Sequence, residues 1–240
     1  MKEIRFFVVP HTLQSHELPA EEAIHAIRVL RLKEGDEIYL MDGCGSFYRA
    51  AITLCNNKHC CYEVLETMPQ QKTWKGSIHL AIAPTKSVDR MEWMAEKCTE
   101  IGFDQLSFIH SQFSERKMLR VERIEKILLS AVKQSRKPWM PVASDMQSFN
   151  QFVSTPRKGR KFIAHCYDEL PREDFYDTLL KADADEDITV LVGPEGDFSV
   201  DEVRQALDHG FEPISLGKSR LRTETAGLVA VTIAQLIKRA

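Results

Sequence analysis

Long apolar runs are missing from this sequence. No stretch approaches the roughly eighteen consecutive apolar residues that a membrane-spanning helix needs. The apolar run at residues 6–9 is too short for the core of a signal peptide, and no small-residue cleavage site follows it. We therefore expect a cytoplasmic protein with no membrane partner.

Paired cysteines are also missing, because none of the six cysteines belongs to a CxxC pair. In a chain of this size, reduced thiols are a simpler interpretation than disulfides or zinc. Cys55, Cys60 and Cys61 lie near His59 and form the only group that resembles a metal site. Adjacent strand residues point to opposite faces, which argues against a shared tetrahedral site, so we expect no metal.

Several common catalytic signatures do not occur. The sequence contains no GxGxxG fingerprint, P-loop, GxSxG elbow or HExxH pair. Nucleotide binding of the common kinds, hydrolases with a nucleophile elbow and HExxH metallopeptidases are therefore disfavoured. The net charge of -3 gives no overall sign of a nucleic-acid partner, so any such surface must come from local clustering.

The pattern of apolar residues divides the 240-residue chain into two parts. Residues 1–70 contain short β-rich runs and one short helix from about Pro19 to Leu30, which is typical of a small barrel. Residues 71–77 are polar and without periodicity, so we interpret them as a linker. Residues 78–240 alternate strands with helices, which predicts a mostly parallel α/β sheet covered on both faces.

Charge is distributed unevenly along the chain. Residues 110–140 contain eight basic and three acidic residues, whereas residues 168–187 contain nine acidic and two basic ones. Each run could simply be a solvated face. A basic face beside an acidic one could also orient a polyanion such as RNA.

Two segments have the composition of ligand-binding loops. In LVGPEGDFSVDEV, a buried strand ends in the Gly193–Gly196 turn, and Ser199 with Glu202 predicts a capping box for the next helix. In ISLGKSRLRTETAGL, a strand ends at Gly217 and a basic loop precedes a helix rich in small residues. Open α/β sheets bind ligands at such strand ends, although both segments could be turns without a ligand.

Read together, these two segments resemble the C-terminal motifs of the SPOUT methyltransferases. Upstream runs resemble the RsmE branch of that class, which methylates N3 of a uridine in 16S ribosomal RNA. These runs are Lys86 to Glu92, Lys97 to Gly102, Ser114 to Lys117, Gln134 to Arg136 with Pro141, and the HAIRVLR segment at 25–31. The resemblance covers nearly the whole chain. One departure is that Ser219 stands where the family has arginine and Arg220 where it has a branched apolar residue.

The resemblance implies an α/β protein with a small N-terminal PUA-like β-barrel and a C-terminal domain folded through a trefoil knot. It implies a homodimer, S-adenosylmethionine as cofactor, and small-subunit ribosomal RNA as partner, within an assembled 30S subunit. The strand pattern alone does not predict the knot, because ordinary connection rules argue against knots.

The resemblance also implies specific site residues. Cofactor contacts are expected from His165, Gly193, Pro194, Glu195, Gly196, Leu216, Gly217, Leu221, Arg222 and Thr225. Catalytic candidates are Arg222, Glu195 and Glu224. Arg222 could stabilise negative charge on the uridine, and either glutamate or solvent could take the N3 proton. His165 could equally be a polar residue at a strand end.

RNA-binding candidates lie in both parts of the chain. They are Arg28, Arg31, Lys86, Arg116 and Arg136. Arg28 and Arg31 are three residues apart, which would place them on one face of a helix. Two other functions remain open: ribose 2′-O-methylation by a related SPOUT enzyme, and RNA binding without catalysis.

Overall fold

Four strands form the sheet of the amino-terminal part. The computed structural model describes residues 6–56 and 58–239. The strands are β1 (Phe6–Val8), β2 (Glu37–Met41), β3 (Ser46–Cys55) and β4 (Cys60–Pro69), in the order β1-β2-β3-β4. β1 is parallel to β2 and the other pairs are antiparallel. The sequence IRFFVV predicts that the first strand also includes Ile4 and Arg5, which lie outside the described residues.

The expected closed barrel is not found among the described residues. The edges of the sheet are β1 and β4, and no strand pairing between them closes it. Apolar residues still alternate along the strands, and they bury one face in a separate core that includes Phe7, Ile38, Leu40, Ile52 and Tyr62.

The short helix of this part is less regular than the sequence predicts. Helix α1 (Ala20–Ile24) continues into a π-helical turn, His25–Val29. Arg31 follows with a φ of +52° and is therefore outside the helix. The expectation that Arg28 and Arg31 share one helical face is wrong, because the chain leaves the helical path between them.

The chain folds into two compact units, and the first unit includes a segment that is distant in sequence. The first unit comprises residues 1–72 with 132–140, and the second comprises 73–131 with 141–240. In the first unit, the Lys133 ammonium lies 2.7 Å and 2.8 Å from the two carboxylate oxygens of buried Glu22. Cys44 also pairs with Trp139 in an isolated β-bridge.

The second unit is built on a seven-stranded parallel sheet in the order β7-β6-β5-β10-β8-β11-β9. The strands are β5 (Ile78–Ile82), β6 (Gln105–His110), β7 (Val142–Ser148), β8 (Arg160–Ala164), β9 (Glu173–Asp174), β10 (Ile188–Val192) and β11 (Phe211–Ser215). All pairings are parallel. Every residue of β5 and β10 is buried, as central strands of such a sheet require.

Helices cover both faces of this sheet, as the sequence predicts. They are α2 (Val88–Ile101), α3 (Val121–Ser135), α4 (Phe149–Ser154), α5 (Phe175–Leu179), α6 (Val200–Asp208) and α7 (Thr223–Ile237). One core includes residues of α2, α3, α5 and α7, and the other includes residues of α4 and α6. Along β10, Val190 belongs to the first core and Leu191 to the second.

The segment expected to be a linker is irregular but anchored. Trp74 is 4% exposed within the larger core of the second unit, and its indole Nε1 donates to Asp104 Oδ2 at 2.9 Å. Residues 73–77 of this segment therefore belong to the second unit.

Membrane and metal signatures are missing from the described part of the chain. None of its helices is long and apolar enough to cross a membrane. No group of three or more His, Cys, Asp or Glu side chains there could hold a metal ion. The six cysteines are free thiols.

Candidate functional site

A cavity of about 830 Å³ opens at the carboxyl ends of β8, β10 and β11, within the second unit. Parallel α/β sheets bind ligands at this edge, where the loops after the strands converge. Most lining residues belong to three loops, and Arg90, Arg172 and Ala226 complete the wall. The loop residues are Ala164 to Tyr167, Val192 to Asp197 and Ser215 to Thr223.

Asp197 holds two of these loops together. Its Oδ2 accepts from the Cys166 backbone N–H at 2.8 Å, and its Oδ1 accepts from the Phe198 N–H at 2.8 Å. Asp197 has a φ of +65°, a region that aspartate tolerates better than most residues. A Cβ on Gly193 would lie 3.1 Å from the Phe198 nitrogen, so glycine permits this tight packing.

Gly217 presents bare backbone to the cavity. Its φ is +111°, and a Cβ built there would meet no atom within 4 Å. The Ser215 hydroxyl braces the turn by donating to the Gly217 carbonyl at 3.0 Å. The conformation therefore requires glycine, while the adjoining space remains open for a ligand.

His165 is a neutral hydrogen-bond donor in this wall. Burial lowers the pKa of His165, and nearby Asp197 opposes the shift. Its Nδ1 accepts from the Tyr167 backbone N–H at 3.3 Å, which leaves the proton of the neutral ring on Nε2. That buried Nε2 has no hydrogen-bond partner among the described residues.

The two glutamates expected at the site have different surroundings. Glu195 is exposed, and its Oε1 accepts from the Lys86 backbone N–H at 3.0 Å. Glu224 is 7% exposed and does not line the cavity, but its Oε1 lies 3.6 Å from Nε of Arg90, which does. The buried Oε2 of Glu224 has no partner among the described residues.

Only one side of helix α7 lines the cavity. Arg222 occupies its N-cap position, is exposed and makes no side-chain hydrogen bond or ion pair with a described residue. Ala226 lies one turn later and lines the cavity, whereas Thr225 does not. Successive helical residues are rotated by about 100°, which turns Thr225 away from this wall. A cofactor contact by Thr225 stays a prediction.

Comparison with family models gives two matches. Residues 72–235 match the RNA methyltransferase domain, and residues 18–65 match the RNA methyltransferase PUA domain. A curated relative from Synechocystis sp., ribosomal RNA small subunit methyltransferase E, is 31% identical over 85% of this chain and 67% of its own length. The chain belongs to this RNA methyltransferase family.

Solved structures of similar proteins support the same fold. A probable rRNA-methyltransferase from Porphyromonas gingivalis is 42% identical, with a TM-score of 0.90 and 98% of each chain covered. The ribosomal RNA small subunit methyltransferase E from Neisseria gonorrhoeae, solved bound to S-adenosyl methionine, is 25% identical, with a TM-score of 0.83 and 98% of each chain covered.

Within this methyltransferase domain, sequence reasoning missed several residues of the cavity wall. Tyr167 donates from its hydroxyl to the Phe198 carbonyl at 2.7 Å, and Arg172 donates to the His165 carbonyl at 2.7 Å. Arg90 stands on α2, more than 70 positions before the first of the three loops. Among these missed residues, only Asp197 could have been predicted from the sequence, because it directly follows the GPEG turn.

The basic residues expected to bind RNA are placed as follows. Arg28, Arg31 and Arg136 are exposed in the first unit, and the Arg136 guanidinium lies 5.4 Å from the centre of the Phe6 ring. In the second unit, Lys86 is exposed and its Nζ lies 3.2 Å from a Glu115 oxygen. Arg116 is only half-buried, but its guanidinium donates to the Thr85 and Lys86 carbonyls.

Proposed function

We propose that this chain transfers a methyl group from S-adenosylmethionine to N3 of a uridine in small-subunit ribosomal RNA. The observation that carries the proposal is the three-loop cavity, which lies inside the matched RNA methyltransferase domain. The similar protein from Neisseria gonorrhoeae was solved with S-adenosyl methionine bound, which supports the choice of cofactor.

The residues present fit this cofactor. The cavity wall contains a histidine whose buried Nε2–H lacks a partner, and Gly217 leaves open space where a side chain would otherwise stand. S-adenosylmethionine has hydroxyl, carboxylate and ring-nitrogen acceptors for such donors. We assign its binding to His165, Gly193, Pro194, Glu195, Gly196, Leu216, Gly217, Leu221 and Arg222, with Ala226 replacing Thr225.

The bound cofactor supplies an electrophilic methyl group, and the protein must make uridine N3 a nucleophile. Neutral N3 carries a proton. Glu195 has one carboxylate oxygen engaged by Lys86 N–H, and its other oxygen accepts the N3 proton in this proposal. The free Arg222 guanidinium stabilises the negative charge that develops on uridine O2 or O4.

In this mechanism Glu224 positions the Arg90 side chain. It is buried below the cavity wall and faces the Arg90 guanidinium, so it orients Arg90 rather than touching the substrate. Arg116 has a similar part, because its guanidinium fixes the turn that carries Lys86.

The wider expectations belong to the same proposal. The first unit binds RNA through Arg28, Arg31 and Arg136. Residues 78–240 form the methyltransferase domain, folded through a trefoil knot. The substrate is ribosomal RNA of an assembled 30S subunit, so the protein acts in the cytoplasm. Two chains form a dimer through α7, where Leu236 is 47% exposed, and α2, where Trp93 is 44% exposed.

A methyl-transfer assay tests the activity. We expect tritiated methyl groups to pass from S-adenosylmethionine to small-subunit RNA, and nucleoside mass spectrometry to find 3-methyluridine. A 2′-O-methylated nucleoside would instead indicate the related SPOUT activity. RNA binding without any transfer to either naked RNA or 30S subunits would indicate a binding protein.

Sedimentation tests the dimer. We expect the protein to sediment as a dimer at micromolar concentration and Leu236→Glu with Trp93→Glu to weaken the association, because buried charges are costly. A parent protein that sediments as a monomer contradicts this part of the proposal.

A further inference from the structure

A second cavity, of about 450 Å³, opens in the same unit at the carboxyl ends of β6 and β7. Its volume is within the range of about 300–1,000 Å³ that is usual for ligand sites. It is lined chiefly by polar side chains, namely those of His110, Ser111, Gln112, Lys117, Ser148 and Asn150. No residue of this wall also lines the three-loop cavity.

The free groups of this second cavity are mostly hydrogen-bond donors. Glu202 is its only acidic residue, and both of its oxygens are engaged by backbone N–H groups, from Gln112 at 2.8 Å and from Ser199 at 2.9 Å. The exposed Lys117 ammonium has no hydrogen bond or ion pair with a described residue. An ammonium beside side-chain amides suits a ligand that combines an anion with polar edges, such as a nucleotide.

One segment connects this cavity with the three-loop cavity. Residues 111–117 supply Ser111, Gln112 and Lys117 to the second cavity. From the same segment, the Phe113 Cβ lies 3.1 Å from the position that a Cβ on Gly196 would occupy. Arg116 donates to the Thr85 carbonyl at 3.2 Å, beside Lys86, whose N–H donates to Glu195.

We propose that the second cavity binds a ribonucleotide of the substrate that neighbours the methylated one, with Lys117 on its phosphate and Asn150 on its base or sugar. This inference rests on the proposed function, because it takes RNA as the substrate. The cavity then fixes the register of the strand, so that the adjacent uridine enters the three-loop cavity.

Lys117→Ala tests the phosphate contact, with Lys158→Ala as its matched control. Lys158 is also exposed, but it lies just before β8 starts. It is therefore at the amino-terminal ends of the parallel strands, whereas the second cavity is at their carboxyl ends. We expect Lys117→Ala to raise the KM for small-subunit RNA about tenfold, with kcat within about twofold. The salt dependence of RNA binding should weaken by about one phosphate contact, and calorimetric affinity for S-adenosylmethionine should stay unchanged. Lys158→Ala should match the parent in all four measurements.

Asn150→Leu provides a second variant that keeps the charge, with Gln151→Leu, a neighbour outside the cavity, as its control. We expect only Asn150→Leu to raise the KM for RNA, with no change in salt slope. The inference is overturned if Lys117→Ala and Asn150→Leu both behave like their controls, or if either acts through a loss of cofactor affinity. A parent protein that binds this RNA but transfers no methyl group refutes the proposed function alone, since the RNA-binding comparison of the variants still stands.

Discussion

His79 is buried on the central strand β5, beside the positive charge of Arg157. Its Nε2 lies 2.8 Å from the Ser107 hydroxyl. Burial first, and Arg157 second, lower its pKa from 6.5 to about 4. Between these two pH values the unfolded chain binds a proton that the folded protein does not, so stability falls as the pH decreases through this window.

This gives a prediction for pH dependence. Between pH 7 and pH 5, the free energy of unfolding of the parent should fall by about 2 kcal/mol more than that of His79→Gln, which cannot titrate. Urea unfolding at both pH values measures the difference. Equal losses in the two proteins would show that the histidine does not control this window.

Asp197 offers a second test at the scale of one residue. Asp197→Ala leaves the N–H groups of Cys166 and Phe198 without their acceptor and puts alanine at a positive φ. We expect a loss of about 2–4 kcal/mol in the free energy of unfolding, together with weaker cofactor binding. Asp197→Asn tolerates the φ and retains one acceptor, so chemical denaturation should show about half that loss. An alanine variant as stable as the parent would mean that the loops do not depend on the two hydrogen bonds that Asp197 accepts.

At the scale of elements, the start of α7 determines which of its residues line the three-loop cavity. Ala226→Leu adds volume to the cavity wall, whereas Thr225→Leu makes a similar apolar side chain outside it. We expect Ala226→Leu to lower calorimetric affinity for S-adenosylmethionine by tenfold or more and Thr225→Leu to change it by less than about twofold. The reverse order would support the sequence-based assignment of Thr225.

The variant Gly196→Val would be a poorer test of cofactor binding, because the added Cβ would also press on Phe113.

The strongly periodic elements could be predicted from the sequence, while the weakly patterned ones could not. The buried strand before Gly193, which is β10, and the Ser199–Glu202 capping box of α6 appear in the structure as predicted. Strand β7, with the sequence VASDMQS, is a polar edge strand and has no run of apolar residues to reveal it. The short α4 and α5 depend on packing against the sheet for their stability.

At the scale of the whole molecule, the two units should divide their work. Replacing Arg28 and Arg31 with alanine should weaken RNA binding and flatten its salt dependence by up to about two phosphate contacts. The chain leaves the helical path between the two arginines, but this does not affect the expectation, because both side chains remain exposed. Affinity for S-adenosylmethionine should be unchanged.

The control for this pair is Lys58→Ala, an exposed position of the same unit. RNA binding measured across a salt series should leave this control at the parent slope. A double variant with the parent slope would show that the first unit does not contact phosphates through these residues.

The sequence by itself determined the local features of this protein. Glycines and a proline at strand ends, apolar periodicity and capping residues are encoded within a few positions. The parallel α/β part and two of the loops that line its cavity could therefore be predicted from the sequence. Only the tertiary structure decided which distant residues complete the site. Arg90 meets Glu224 across 134 positions, Asp197 joins a loop 31 residues earlier, and residues 132–140 join the first unit. These contacts depend on strand order and helix packing, which act between segments and leave no pattern in either segment alone.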